Sequence, residues 1–258
     1  MLWLDKHRPE KLDQLTVHDE ISQQLSGLAD SAQFPHLLLY GPAGAGKRTR
    51  VMALLQQMYG KSVTKLKVDH REFKKAGTST SVELTLLSSN HHIELNPSDA
   101  GRQDTLIVQT VIKEIAQSQS INHADSERPF KVVVINEVDN LSHDAQAALR
   151  RTMEKYTGSC RLILTCNSIC RVIDPVRSRC LGLRVPAPPV AAVAGVLQRV
   201  AKLERVTLPA ELATKMAVTS ERNMRRALVR APAADAAAAA VRLWCLRSLL
   251  LTLLCRCS

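Results

Sequence analysis

The chain has 258 residues, 45% of them apolar and 3% aromatic, a length that can bury the core of one large or two modest domains. Its 35 Lys and Arg against 24 Asp and Glu leave a net charge of +11, which suits a polyanionic partner. The opening residues Met1 to Pro9 lack the apolar core of a signal peptide and no early run is long enough to span a bilayer, so a reducing compartment, cytosol or nucleus, is expected.

Residues 1–35 read as a polar entry segment with one helix, about His18 to Leu28. The apolar run Leu37 to Tyr40 predicts a short buried strand, and Arg50 to Leu55 predicts a helix. Between them lies Gly41-Pro42-Ala43-Gly44-Ala45-Gly46-Lys47-Arg48-Thr49. Strand, glycine-rich turn and helix are the setting of a phosphate loop. The glycines let backbone N–H groups face inward, the helix start adds its positive dipole end, and Lys47 supplies a point charge for the outer phosphates. Gly41, Gly46 and Lys47 fit the spacing G-x-x-x-x-G-K. The next residue of that pattern is a Ser or Thr that ligates Mg²⁺; here it is Arg48, and Thr49 comes one residue late, rotated by roughly 100° around the helix.

Further on, Lys65 to Val68 and Val82 to Leu86 predict strands, with the basic stretch Arg71 to Thr80 as a turn between them. The Lys74-Lys75 pair reads as a solvated face rather than a targeting signal. His91 to Leu95 is a further strand, followed by a loop at Asn96 to Gly101. The pair His91-His92 next to Glu94 invites a metal reading, but neighbours on a strand face opposite ways. A helix at about Gln103 to Gln117 carries Leu106, Val108, Val111, Ile112 and Ile115 on one stripe. After a polar stretch, Ser118 to Pro129, the run Phe130 to Ile135 suits the middle of a parallel sheet. Helix Ser142 to Tyr156 and strand Arg161 to Cys166 follow. Strands alternating with helices predict an α/β fold with a parallel sheet.

Pro186, Pro188 and Pro189 mark a linker. Amphipathic helices follow near Val190–Lys202 and Pro209–Val218, and a third begins near Arg222. The expected division is an α/β nucleotide-binding domain over 1–185, a small all-helical domain over 186–230, and an Ala- and Leu-rich tail over 231–258 without assigned function. Of the seven cysteines, Cys160, Cys166, Cys170 and Cys180 fall close together, which raises zinc; without C-x-x-C spacing they read as small buried thiols, and no metal site is assigned.

Four further features bear on chemistry. Four apolar residues, Val132 to Ile135, lead into Asn136-Glu137, where an Asp that holds Mg²⁺ and a Glu that activates water are usual. Glu137 is present, but Asn136 offers one neutral oxygen and holds a hard dication less well than a carboxylate. Both metal-holding positions, Arg48 and Asn136, therefore depart together, which predicts a site that binds nucleotide and hydrolyses it slowly or not at all. Asn167, at the end of a strand beside the loop, can orient water or touch a γ-phosphate. Arg179, in Pro175 to Cys180, can serve as a finger into a neighbour's phosphate site, and Arg225 in the helical unit can reach a nucleotide.

Together these residues resemble the AAA+ sliding-clamp loaders, specifically the small subunits of eukaryotic replication factor C. The resemblance runs from Leu2 to about Val229 and rests on Trp3 to Pro9, Phe34 to Leu38, Gly41 to Thr49, Glu94 to Asp99, Asn136 to Asp139, Ala145 to Glu154, Ser178-Arg179-Cys180 and Arg225. It implies an AAA+ fold with a helical lid and a five-subunit nuclear assembly with the other replication factor C subunits. That assembly opens a ring-shaped sliding clamp and closes it on primer-template DNA in replication and repair. It implies ATP or ADP as cofactor, with Mg²⁺ weakly supported. By resemblance, Lys6, Arg8 and Pro9 lie in the adenine-wrapping segment; Gly41, Gly44, Ala45, Gly46, Lys47, Arg48, Thr49 and Asn136 line the nucleotide; Asn167 and Arg225 are sensors; Glu137 is catalytic; and Arg179 acts in trans. Lys113 and Arg171 match basic positions turned toward the template backbone, whereas a third such position is Gln109 here. The family continues with a helical collar of roughly one hundred residues. This chain carries its Ala- and Leu-rich tail instead and reads as truncated, alternatively spliced or mistranslated past about Val229. The expected function is a weakly hydrolysing clamp-loader subunit, its own status as an enzyme left open. The alternatives are a non-hydrolysing nucleotide-bound scaffold and a stand-alone DNA-dependent motor, against which Arg48 and Asn136 argue.

Overall fold

The computed structural model describes residues 2–31, 33–74, 81–97, 101, 104–117 and 130–231. Of the turn expected at Arg71 to Thr80, Arg71 to Lys74 are strand instead, paired with Ser81 to Leu84, and residues 75–80 lie outside the described residues; so do residues 98–100, 118–129 and those from 232 on, with Cys245, Cys255 and Cys257, as well as Gln103 and the side chain of Ile115. The chain divides into two compact units, residues 9–186 and residues 1–8 with 187–258.

The larger unit is built on a seven-stranded sheet. Its strands are β1 (Leu37–Tyr40), β2 (Lys67–Lys74), β3 (Ser81–Ser88), β4 (His92–Leu95), β5 (Lys131–Ile135), β6 (Cys160–Cys166) and β7 (Leu181–Arg184), in spatial order β2-β3-β4-β5-β6-β1-β7. From β4 to β7 every pairing is parallel. The two strands expected at 65–68 and 82–86 instead form an antiparallel pair at one edge, with Lys67 opposite Ser88. The strand β7 is absent from the sequence expectation: three of its residues are exposed and Leu183 is only half-buried, and it has no apolar run to announce it.

Successive residues of the inner strands face opposite sides of the sheet, so each strand feeds two cores. Leu38, Val133, Ile135, Leu162 and Leu164 join one core with the helices α4 (Asp104–Gln117) and α5 (His143–Lys155). Leu37, Leu39, Val132, Val134 and Ile163 join the other with α2 (Asp19–Asp30) and α3 (Lys47–Tyr59). Polar caps hold the first pair of helices in place. Ser142 Oγ accepts the Ala145 N–H at the start of α5 (3.2 Å), and buried Asp104 accepts both the Ser142 N–H (2.6 Å) and its hydroxyl (2.9 Å), tying the two helix starts together. A short helix, α6 (Asp174–Arg177), precedes β7.

In the smaller unit, α7 (Val190–Leu203), α8 (Ala210–Thr219) and a last helix over 224–231 surround Val193, Leu197, Ala217, Ala227 and Ala231. The first eight residues belong here and not with the sheet, contrary to the expected span 1–185. The reason is local packing and charge. The helix α1 (Trp3–Lys6) brings Trp3 against this cluster, and Lys6 Nζ and His7 Nε2 both contact the Glu204 carboxylate, at 2.8 and 2.5 Å. The Lys6 hydrogen bond first, and that of His7 second, hold this carboxyl below its usual range. Among the described residues no helix is long and apolar enough to cross a membrane.

Two histidines tie the sheet together from inside. His36 Nδ1 accepts the Leu162 N–H (3.0 Å), and its carbonyl accepts the Leu181 N–H (2.8 Å). His92 Nδ1 lies 2.7 Å from the Ser89 hydroxyl. Burial pushes both imidazoles from 6.5 down to about 4; for His36 the Arg161 cation adds to the effect. Each stays neutral in the folded chain while it protonates in the unfolded one. Stability is therefore intact above the ordinary histidine pKa and lost as pH falls toward the depressed values. Urea unfolding should show a loss of ~2 kcal/mol per histidine at about pH 5 relative to neutrality, and His36→Asn should reduce that loss. An unfolding midpoint that is flat over this range would remove both histidines from the account.

Candidate functional site

The carboxyl ends of β4, β5, β6 and β1 stop at one edge of the sheet, and the loops that leave there carry the polar residues. Gly41 leaves β1 with φ +152°, and a Cβ on it would stand 1.9 Å from the Val185 carbonyl oxygen. Val185 is itself held by its N–H on the Tyr40 carbonyl (2.8 Å), so the close approach is fixed from both sides. Gly44 and Gly46 are left-handed, with φ of 76° and 89°, and Gly46 caps α3 by accepting the Arg50 N–H (3.1 Å). Buried Ala45 sits between them.

Lys47, in the first turn of α3, curls over this loop. Its Nζ donates to the carbonyls of Gly41 (2.6 Å) and Pro42 (3.1 Å) and to Asn167 Oδ1 (2.9 Å). Two expected site residues are thus brought together across 120 positions of sequence. Asn167 is held by Asp139, whose Oδ2 accepts the N–H groups of Asn167 (3.2 Å) and Ser168 (3.3 Å). Arg50, almost wholly buried, clamps the other side of the loop through the carbonyls of Ala45 (3.2 Å) and Val17 (2.5 Å). Burial lowers its pKa to about 10, so it remains a cation at neutral pH. Loop conformation, ammonium and strand-end amide suit the phosphates of a nucleotide.

Arg48 and Asn136 meet at one carboxylate. Glu94 is buried, and its Oε2 accepts Arg48 Nη2 (2.8 Å) while its Oε1 accepts Asn136 Nδ2 (2.6 Å). Arg48 Nε also lies 2.7 Å from Oε1, a close charge contact rather than a second aligned bond. The amide oxygen of Asn136 accepts the Thr165 hydroxyl (3.1 Å). Pairing explains the arrangement: Leu95 is opposite Ile135, and Ile135 is opposite Leu164, which sets Asn136 beside Thr165 and on the face of Glu94. Magnesium, only weakly supported by the resemblance, finds no fitting ligand set here. It wants free oxygens in near-octahedral order, whereas both Glu94 oxygens and the Asn136 oxygen are engaged and the remaining side chain is a cation.

The other expected residues lie as follows. Glu137 is exposed, left-handed at φ 55°, and accepts a bond from Asn140 Nδ2 (2.9 Å). Thr49 is half-buried on the first turn of α3. Arg179, after α6, gives Nε (2.9 Å) and Nη2 (2.5 Å) to Glu154 Oε1 and Nη1 to the Pro175 carbonyl (2.8 Å). The hydrogen bond from Arg150 and then that from Arg179 hold the Glu154 carboxyl below its usual range. Lys113 is exposed on α4, and Arg171 is exposed on a short turn whose carbonyl accepts Gln146 Nε2 (3.1 Å). Lys6 and Arg8 belong to the smaller unit, Arg8 pairing with Asp5 (3.0 Å), while Pro9 opens the larger one. Arg225 is exposed on the last helix of the smaller unit. Sequence reasoning missed Glu94 and Asp139 as parts of the site. The available signal was an acid one residue before the end of a strand, next to the strand that leads into Asn136.

The family model described as DNA polymerase III, delta subunit, matches residues 17–189. The chain belongs to this family of clamp-loader subunits. A second model, the RCF1/5-like AAA+ ATPase lid domain, matches residues 195–229, the helices of the smaller unit. Among curated proteins, the family member described here is 52% identical over 89% of its length to "Probable replication factor C subunit 3" of Dictyostelium discoideum. It is 51% identical over 89% to "Replication factor C subunit 5" of Oryza sativa subsp. japonica, and 49% identical over 88% to "Replication factor C subunit 3" of Homo sapiens. It spans just under two thirds of these relatives, 66%, 65% and 64% of their lengths. Among solved structures, the Thermotoga maritima RuvB Holliday junction branch migration motor superposes with a TM-score of 0.61 over 87% of this chain and 64% of that one, at 17% identity, a likeness of fold.

Gly41 gives the sharpest test of the loop. Gly41→Ala should cost at least ~3 kcal/mol in urea unfolding, because backbone on both sides resists displacement. A variant as stable as the parent would show that the loop yields.

Proposed function

We propose that this chain is a nuclear replication factor C small subunit that binds adenine nucleotide, hydrolyses it weakly and acts with sibling subunits to load a ring-shaped, PCNA-type clamp onto primer-template DNA. The observation that carries the proposal is the Lys47–Asn167 contact over a glycine loop whose neighbouring metal position is filled by Arg48, Glu94 and Asn136. A bound nucleotide's phosphates would draw Lys47 from the loop carbonyls, while Asn167 stays in place on Asp139. Weak hydrolysis follows from an acid, Glu137, that lacks a metal-holding partner. Arg179 pairs with Glu154 at the surface, and the in-trans role is assigned to it on the strength of the family motif. Lys6, Arg8, Pro9 and Arg225 are assigned to the adenine and sensor roles on the strength of the family motif, and Lys113 and Arg171, both exposed, to the DNA backbone. A stand-alone motor is disfavoured by the committed Glu94 carboxylate.

Mixing the chain with sibling subunits tests the division of labour. Lys47→Ala should weaken this chain's own nucleotide affinity by about tenfold or more. Arg179→Ala should leave that affinity unchanged and slow the neighbour's ATP turnover on the order of a thousandfold. Equal loss of both properties in the Arg179 variant would overturn the assignment.

A further inference from the structure

We infer that Arg48 is a built-in replacement for the metal: the site takes up a nucleoside di- or triphosphate free of Mg²⁺, and Glu94 is the positioning residue that holds the guanidinium for it. The inference rests on the nucleotide reading above and adds what neutralises the phosphates.

Three observations carry it. First, Arg48 follows Lys47 directly on the first turn of α3, so a second fixed positive charge stands next to the loop. Second, the guanidinium is anchored on one side only. Nη2 and Nε face Glu94, whose side chain is 4% exposed, while the Arg48 side chain is 41% exposed and no hydrogen bond from Nη1 to protein is found among the described residues. A planar guanidinium held along one edge keeps donors for a phosphate on another. Third, the anchor is built rather than incidental. Glu94 is fixed by Asn136, and Asn136 by Thr165, so three strands hold the orientation of one cation. A divalent ion here would have to displace the guanidinium from Glu94 and stand beside it, like charge against like. A guanidinium already in place supplies positive charge to the phosphates without that rearrangement.

The experiment is a fluorescence titration of the full chain with a ribose-labelled ADP and ATP, once with millimolar MgCl2 and once with excess EDTA. The parent chain should bind with affinities that agree within about twofold between the two conditions, well below the tenfold that corresponds to about 1.4 kcal/mol. Arg48→Thr should lose affinity about tenfold in EDTA. Glu94→Gln, which keeps the shape and removes the charge that orients Arg48, should also lose affinity in EDTA. Circular dichroism of each variant separates this from unfolding. Binding by the parent that tightens tenfold or more with Mg²⁺ overturns the inference while the nucleotide reading stands. Folded variants that both bind as tightly as the parent in EDTA also overturn it. No binding in either condition overturns the nucleotide reading and the inference with it.

Discussion

The site depends on where the parallel strands stop. Leu95 is level with Ile135, Ile135 with Leu164, and Tyr40 with Cys166, so Asn136, Asn167 and Gly41 all leave the sheet at the same edge. A slip of one residue in any of these strands would turn its side chains to the other face. The two cores forbid it. Val133 and Ile135 are buried on one side and Val132 and Val134 on the other, and neither face can be exchanged without exposing the helices that cover it. The positions of the polar residues are thus a consequence of apolar burial. Lys47 meets Asn167 because β1 and β6 are neighbours in register, and no special feature of either residue is needed to bring them together.

The same register makes Arg48 and Asn136 one change and not two. Glu94 is a carboxylate buried in a strand whose neighbours are apolar. Such a charge needs a partner, and Arg48, itself 41% exposed, supplies it from the open side. Arg48 Nη2 bonds one oxygen, and the other takes the Asn136 amide with Arg48 Nε close by, so the carboxylate faces donors on both sides. An Asp at position 136 would bring a second negative charge against Glu94, and a Ser or Thr at position 48 would leave Glu94 without a cation. Each residue is explained by the other, and both by Glu94. The cluster is therefore coupled: Glu94 holds Arg48 and Asn136 at once, and a change at any one of the three alters the partners of the other two.

What was legible in the sequence follows the same physics. Runs such as Leu37 to Tyr40 and Phe130 to Ile135 announced inner strands because both of their faces are buried, and the glycine spacing announced the loop because only a residue without a Cβ tolerates Val185 so near Gly41. Ser142 announced a helix start because its hydroxyl caps it. The antiparallel edge pair was not legible, since a strand's direction is set by its neighbour and leaves the same alternation either way. The last strand, β7, hid because none of its four residues is buried and it lies beyond an arginine-rich turn. Glu94 carries no local sign of its role, because its partners come from the first turn of α3 and from the residue after β5.

The first eight residues show the limit most plainly. By chain order they precede the sheet, yet their apolar and charged groups find partners among helices near the other end. Trp3 needs apolar cover, which the cluster around Val193 and Leu197 provides, and Lys6 finds Glu204 at a separation of 198 residues. A contact of that span has no period and no spacing for a sequence to display. It is written only as one unmatched aromatic and one excess of cations at the start, and one acid after α7 at the end. Such complementarity selects a partner once the helices exist, and cannot be read before they do.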